Sequence, residues 1–345
     1  VRCTSPRTVG FYQDGKTLCW SPKKYSKEYA TFQIACGKCV SCRLESARQT
    51  AVRCVHEASL HEFNIFLTLT YSDDHIGDNR LRYSDIQKFQ KDLRNDLFQR
   101  LLDGMFPGLP QKEQRGLWKS LTKERRNELY GAIRVSFLVA GEYGGRTKRA
   151  HWHMLIFNYR PHDAKGSHTS DRGDLVETSE FLNDLWGKGK TEFGKVTFES
   201  AGYCARYAAK KLVHGKDKDH DYHPIARRSC RYAIGKGWIE KNWRDVFGLG
   251  YLVLWTGSKM IQCGIPRYYE KWLIANHPLE WEKYIKEVKS KIIDRAVEKE
   301  AKISLEEKKA NLLRDAYKGL QIKKNKVREK IVDSKFKKLQ ESQKL

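Results

Sequence analysis

Two histidines separated by one residue, His151 and His153, open the apolar run from Ala150 to Phe157. In an extended strand, side chains at i and i+2 project to one face, so both imidazoles point the same way and Trp152 turns to the other. Upstream, the apolar run from Ile133 to Ala140 ends in Gly141-Glu142-Tyr143-Gly144-Gly145, followed by the basic Arg146-Thr147-Lys148-Arg149. The paired glycines make a hairpin connection, and the antiparallel return sets Glu142 beside the histidine pair. Two imidazoles and a carboxylate at one point form a metal-ligand set. The plainer alternative is two strand histidines satisfied within a sheet. A second constellation lies in the alanine-rich segment 200–212, broken only by Gly202, which predicts a helix. At about 100° per residue, Tyr203, Tyr207 and Lys210 share one narrow arc, with Arg206 close beside it. Two phenols and a cation thus occupy one face, and the alternative is a tyrosine pair packed against a sheet.

These residues need a scaffold, and the apolar periodicity supplies one. Val40, Leu44, Ala47, Ala51, Val55 and Leu60 recur at helical steps, predicting an amphipathic helix over about 40–62. The run Asn64 to Tyr71 is rich in β-branched and aromatic residues and reads as a central strand. Ser84 is expected to cap a helix reaching Leu102, with Ile86, Phe89, Leu93, Leu97 and Leu101 on one stripe. Residues 103–130, with Pro107 and Pro110, read as an inserted lobe carrying one short helix near Lys119 to Tyr130. A loop through Gly173, a short helix around Phe181 to Trp186 and a strand at 195–198 follow. Residues 213–235 read as a polar loop with five lysines and arginines. From Leu279 onward lysine and glutamate dominate, predicting one or two long, basic, solvated helices.

The formal charge is +24 and the sequence pI about 9.6. Such an excess attracts polyanions, so nucleic acid is the expected partner. No run is long enough to span a bilayer as a helix, and no secretory leader is recognisable. Nine cysteines, an odd number with three crowded into Cys36-Gly37-Lys38-Cys39-Val40-Ser41-Cys42, do not form a disulfide framework. A reducing, cytoplasmic setting follows. Cys36 and Cys39 have the spacing of a zinc half-site. A four-thiolate structural site from Cys3, Cys19, Cys36 and Cys39, or with Cys42 replacing one, would clip the turn-rich arm 1–39 to the body; free thiols are the alternative.

A strand with Thr68 and Thr70, a His-Trp-His strand and a helix with Tyr203 and Tyr207 stand in the order of the three motifs of HUH endonucleases, the rolling-circle replication initiators. More closely, Cys36 to Glu45, Phe66 to Tyr71, Gly141 to Gly144 and Arg267-Tyr268-Tyr269 resemble the replication initiators of gokushovirus-type microviruses. The resemblance covers roughly residues 30 to 270. It implies an α+β fold, an antiparallel sheet of about five strands forming an RRM-like palm with flanking helices. The implied organisation is an arm (1–39), an HUH endonuclease domain (40–270) and a basic helical tail (271–345).

The resemblance also implies roles. A phenol has a pKa near 10 and attacks a phosphodiester only when a divalent ion polarises the phosphate. Glu142, His151 and His153 would hold Mn2+ or Mg2+, with manganese the better match to imidazole. Tyr207 with Lys210 resembles the single Tyr-x-x-Lys unit of related initiators, and Tyr203 with Arg206 is its alternate. The expected product is a 5′-phosphotyrosine at a viral origin, with Arg206, Lys211, Arg146, Lys148 and Arg149 on the single-stranded DNA. No Gly-x-x-x-x-Gly-Lys-Ser/Thr loop is present, so unwinding falls to a host helicase and synthesis to a host polymerase, in the bacterial cytoplasm. The competing reading is a non-catalytic RRM-like binder of single-stranded nucleic acid or a DNA-packaging protein.

Overall fold

Residues 64–70 alternate in burial along their length, as a strand with one face on a core requires. The computed structural model describes residues 3–15, 17–144, 147–170, 173–210, 225–230, 232–256, 259–316 and 324–341. The chain divides into two units, one of residues 50–243 and 253–262, the other of 1–49, 244–252 and 263–345.

The first unit is α+β, with a seven-stranded sheet. Its strands are β1 (Asn64–Thr70), β2 (Ser136–Tyr143), β3 (Ala150–Phe157), β4 (Lys165–Thr169), β5 (Leu175–Thr178), β6 (Thr191–Lys195) and β7 (Ile225–Arg228). They lie in the order β7-β2-β3-β1-β6-β5-β4, every pairing antiparallel. Almost every residue of β2 and β3 is buried because both faces are covered. On one face Leu67, Leu69, Phe137, Trp152 and Ile156 meet Ile86, Phe89 and Leu93 of helix Tyr83–Met105, with Leu182 and Trp186 of helix Glu180–Trp186. Fully burying each such side chain contributes roughly 1.5–3 kcal/mol. On the other face Leu138, Leu155 and Phe157 meet Ala201 and Cys204 of helix Phe198–Lys210, with Ala51, Cys54 and Ile234. The small residues Ala201 and Cys204 let that helix lie close to the sheet.

Trp152 is fully buried and donates its indole N–H to Tyr71 Oη at 2.9 Å, and Tyr71 Oη donates to Asp85 Oδ2 at 2.9 Å. This chain of bonds satisfies the polar ends of two core aromatics. Gly189 has φ +154°, and a Cβ there would overlap the Thr70 carbonyl and the Ser72 amide, so only glycine fits beside the end of β1.

Several expectations are corrected. The sheet has seven strands rather than about five. The segment around Gly173 is not a bare loop but is flanked by β4 and β5, and β7 lies inside the expected polar loop. All of β4 is exposed and β7 reads Ile-Ala-Arg-Arg, so neither shows the alternation that marks a half-buried strand. The inserted lobe holds two helices, Gln111–Ser120 and Lys123–Ile133; Thr122 caps the second by accepting from Arg125 N at 3.2 Å. Helix Tyr83–Met105 starts before Ser84, with Arg82 at its cap and no side-chain capping bond. The strand expected at 195–198 is Thr191–Lys195, since Phe198 already begins the next helix.

In the second unit, Arg7–Phe11 pairs with both Leu18–Cys19 and Phe32–Ile34 in a three-stranded sheet, with Val9 and Cys19 fully buried. Helices Arg267–Asn276 and Pro278–Tyr284 lead through a π-turn at Ile285–Lys289 into Ser290–Ala316, and Lys324–Glu341 follows. Among the described residues no helix is long and apolar enough to cross a membrane.

Candidate metal and tyrosine site

The register of three strands builds the site. Thr68 of β1 lies opposite His153 of β3 and Thr70 opposite His151, while Glu142 of β2 lies opposite His151 from the other side. Because side chains alternate, Thr68, Glu142, His151 and His153 all emerge on the face covered by helix Phe198–Lys210. His151 Nε2 and His153 Nε2 each lie 3.0 Å from the same oxygen, Glu142 Oε1. Adjacent ligands on an octahedral ion with bonds of ~2.1 Å are about 3.0 Å apart, so the spacing fits a small divalent cation. The three ligand atoms lie within 4.8 Å of one another.

The remaining nitrogens are fixed from behind. His151 Nδ1 faces the Arg149 carbonyl at 3.0 Å, and His153 Nδ1 faces Thr68 Oγ1 at 3.1 Å. An Nδ1–H given to these oxygens fixes the ring orientation and leaves each Nε2 as the ligand atom. Glu142 and His153 are only 6% and 7% exposed. Burial on its own raises the Glu142 pKa, but the hydrogen bonds and charges of His151 and His153 outweigh it and hold the carboxyl at about 2. Glu142 is therefore an anion at neutral pH, as a metal ligand must be.

The tyrosine helix starts on a reciprocal cap: Thr197 N donates to Ser200 Oγ at 2.8 Å and Ser200 N donates to Thr197 Oγ1 at 3.1 Å. Two turns on, Tyr203 Oη donates to Glu142 Oε1 at 2.9 Å and lies 3.4 Å from His153 Nε2. Its ring stands edge-on to His153 at 5.0 Å and to Phe66 at 6.2 Å between centroids. A phenol oxygen and three ligand atoms therefore meet in one buried pocket.

The other expected residues fall differently. Arg206 is half-buried on the same helix. Arg149 is engaged internally, its guanidinium donating to the Tyr71 carbonyl at 2.8 Å and to Asp73 Oδ1 at 2.7 Å. Lys148 is exposed in the β2–β3 turn, at φ +56°. The side chains of Tyr207 and Lys210, and Arg146 and Lys211 entirely, lie outside the described residues. Sequence reasoning overlooked Asn79. Its Nδ2 donates to the Lys148 carbonyl at 2.8 Å and its Oδ1 accepts from Ala150 N at 2.7 Å, tying the hairpin to the turn before helix Tyr83–Met105. The sequence signal was an asparagine, the residue that tolerates its φ of +56°.

A second group of ligand atoms lies in the other unit, made of Cys3, Cys36, Cys39 and Cys42. Cys19 is not among them. It is held in the strand Leu18–Cys19, paired with Gly10, and its thiol donates to the Ser21 carbonyl at 3.5 Å. Cys42 takes the fourth place because helix Val40–Ala58 begins right after Cys39 and its first turn carries Cys42 back to Cys36.

A family model described as replication-associated protein, of the ORF2 type, matches residues 105–212, which span Glu142, both histidines and both tyrosines. Replication-associated protein VP4 of Bdellovibrio phage phiMH2K is 44% identical over 348 residues, covering 100% of both chains. Replication-associated protein ORF4 of Chlamydia phage 1 is 29% identical over 246 residues, 70% of this chain and 53% of the relative. Replication-associated protein ORF2 of Spiroplasma virus 4 is 28% identical over 275 residues, 76% of this chain and 75% of the relative. No solved structure matches the chain.

Proposed function

Because this chain belongs to the microvirus-type replication-associated proteins of single-stranded-DNA phages, we propose that it is an HUH-type nickase and ligase that opens and recloses viral single-stranded DNA at the origin. The observation that carries this reading is the Tyr203 hydroxyl 2.9 Å from the carboxylate oxygen on which His151 and His153 converge. A structural tyrosine needs no ligand set at its hydroxyl; a nucleophile does.

Glu142, His151 and His153 would hold Mn2+ or Mg2+, which supplies a Lewis acid for a phosphate oxygen and screens the phosphate charge. Tyr203 Oη forms the new bond to phosphorus, and the bond from phosphorus to the 3′ oxygen breaks. The phenol proton leaves along the existing hydrogen bond toward Glu142, and the departing 3′ oxygen takes a proton from water. The product is a 5′-phosphotyrosine that keeps the energy of the broken bond, so rejoining needs no nucleotide cofactor. Tyr207 follows Tyr203 by one helical turn and serves as the second nucleophile, attacking when the first is occupied, with Lys210 beside it. Arg206, Lys148 and the basic residues Arg146 and Lys211 guide the DNA backbone. Arg149 orders the hairpin through Tyr71 and Asp73. A host helicase and polymerase supply unwinding and synthesis inside the bacterial host.

The test is incubation with single-stranded origin DNA and manganese, followed by denaturing electrophoresis for a covalent adduct. Tyr203→Phe and Tyr207→Phe are each expected to retain part of the cleavage and the double variant none. Absence of any adduct, with DNA binding intact, would instead support a non-catalytic single-strand binder. Full cleavage by the double variant would move the nucleophile elsewhere.

A further inference from the structure

We propose that Cys3, Cys36, Cys39 and Cys42 hold one Zn2+ as a structural tetrathiolate site, separate from the histidine–carboxylate group. The two opposite pairs give the scale: Cys3 Sγ to Cys39 Sγ is 3.8 Å and Cys36 Sγ to Cys42 Sγ is 3.9 Å. Four thiolates around an ion with Zn–S bonds of ~2.3 Å at tetrahedral angles have edges of ~3.8 Å. All four sulfurs lie within 4.8 Å of one another, so a single centre reaches each. Disulfides do not explain this arrangement. They would join the sulfurs in pairs at about 2.05 Å and give no reason for two pairs to converge. An iron–sulfur cluster fits less well, because its cysteines are spread around several metal atoms rather than one.

The backbone around the cluster supports charged sulfur. Cys36 N donates to Cys3 Sγ at 3.3 Å, and Lys38 N and Cys39 N donate to Cys36 Sγ at 3.4 and 3.3 Å. Gly37 has φ +71° with no atom near its missing Cβ, which lets the Cys36–Cys39 turn fold its amides back on the sulfur. Cys42, on the first turn of helix Val40–Ala58, sits where the helix dipole favours negative charge. The ligands come from the start of the arm, from the turn after strand Phe32–Ile34 and from the helix. One ion thus closes the chain from residue 3 to residue 42. Since these ligands are not gathered in an unfolded chain, the free energy of binding the ion becomes folding free energy of the arm.

The experiment uses the full-length chain carrying His151→Ala and His153→Ala, so that the other group contributes no ion. About one equivalent of zinc is expected by elemental analysis. Replacement by cobalt is expected to give thiolate-to-cobalt charge transfer and the intense visible bands of a tetrahedral ion. Cys36→Ser with Cys42→Ser is expected to lose the metal, whereas Cys19→Ser retains it. Cys42→His guards against simple misfolding: it supplies a nitrogen ligand, keeps the ion and weakens the charge-transfer band. Zinc retained after Cys36→Ser with Cys42→Ser, iron as the bound metal, or a metal-free chain lighter by the hydrogens of two disulfides would each overturn the assignment.

Discussion

Gly141 lies opposite Trp152 in the β2–β3 pair, one residue before Glu142. A Cβ placed on it would stand 2.7 and 2.8 Å from Cζ3 and Cε3 of Trp152, and 3.0 Å from Leu81 Cδ1. Ordinary carbon contacts are ~3.5–4.0 Å, so Gly141→Ala demands a displacement of roughly 1 Å. The indole has nowhere to go, being fully buried and tied through its N–H to Tyr71 at 2.9 Å. The strand therefore yields, at a cost of about 1–3 kcal/mol for an overpacked core. The same movement shifts Glu142 against His151 and His153, and a misplacement of about 1 Å in a reacting constellation costs on the order of 100-fold in rate. Urea unfolding at constant m reads the first effect. Single-turnover cleavage of origin DNA at saturating manganese reads the second. Gly131→Ala is the control: no atom lies within 4 Å of its missing Cβ, in helix Lys123–Ile133, and the change should stabilise by up to about 1 kcal/mol. If Gly141→Ala unfolds and cleaves like the parent, this glycine does not set the ligand geometry.

Thr68→Val removes the oxygen facing His153 Nδ1 and is expected to weaken manganese binding about 10–100-fold by calorimetry, with little change in fold; unchanged affinity would separate Thr68 from the site. His56, stacked on Trp238 at 3.5 Å, is pushed down by burial to about 3. The unfolded chain takes up this proton near pH 6.5 and the folded chain does not until about pH 3. Its share of stability is therefore full above about pH 6.5 and falls with pH, with about 2 kcal/mol gone by about pH 5. His56→Phe should flatten that part of the profile, and an identical slope in the variant would assign the proton elsewhere. Single-stranded DNA affinity should fall linearly in log–log coordinates with added salt, by about 0.7 per phosphate contact, and a flat response would exclude the electrostatic footprint.

The sequence disclosed the ligand trio because strand periodicity and hairpin register are local. His151, His153 and Glu142 lie within a dozen residues, and the period of two leaves one face for all three. The tyrosine helix was legible for the same reason. The edge strands were not, because Lys165–Thr169 is exposed throughout and Ile225–Arg228 spends two of its four residues on arginine; their pairing is set by neighbours far along the chain. Choosing Cys19 over Cys42 was likewise a long-range question. Cysteine spacing names a half-site, but which remaining sulfurs join it depends on how Leu18–Cys19 pairs and where the following helix begins. Arg149 and Asn79 show the limit for polar residues. Composition marks a cation or an amide, and only the fold shows that each ties the β2–β3 hairpin down.

The single oxygen Glu142 Oε1 accepts from His151, His153 and Tyr203 at once. A ligand set that can bond to itself in this way carries no unbalanced charge when no ion is there, so it has no reason to unfold or to recruit solvent. Ion exchange then becomes a local rearrangement of a few protons, and a chelator would silence the chain reversibly while leaving its melting behaviour almost untouched. Four thiolates without an ion have no such internal remedy. Titrating one preparation with chelators of increasing strength would thus meet two thresholds, the first felt in activity and the second in the integrity of the amino-terminal arm.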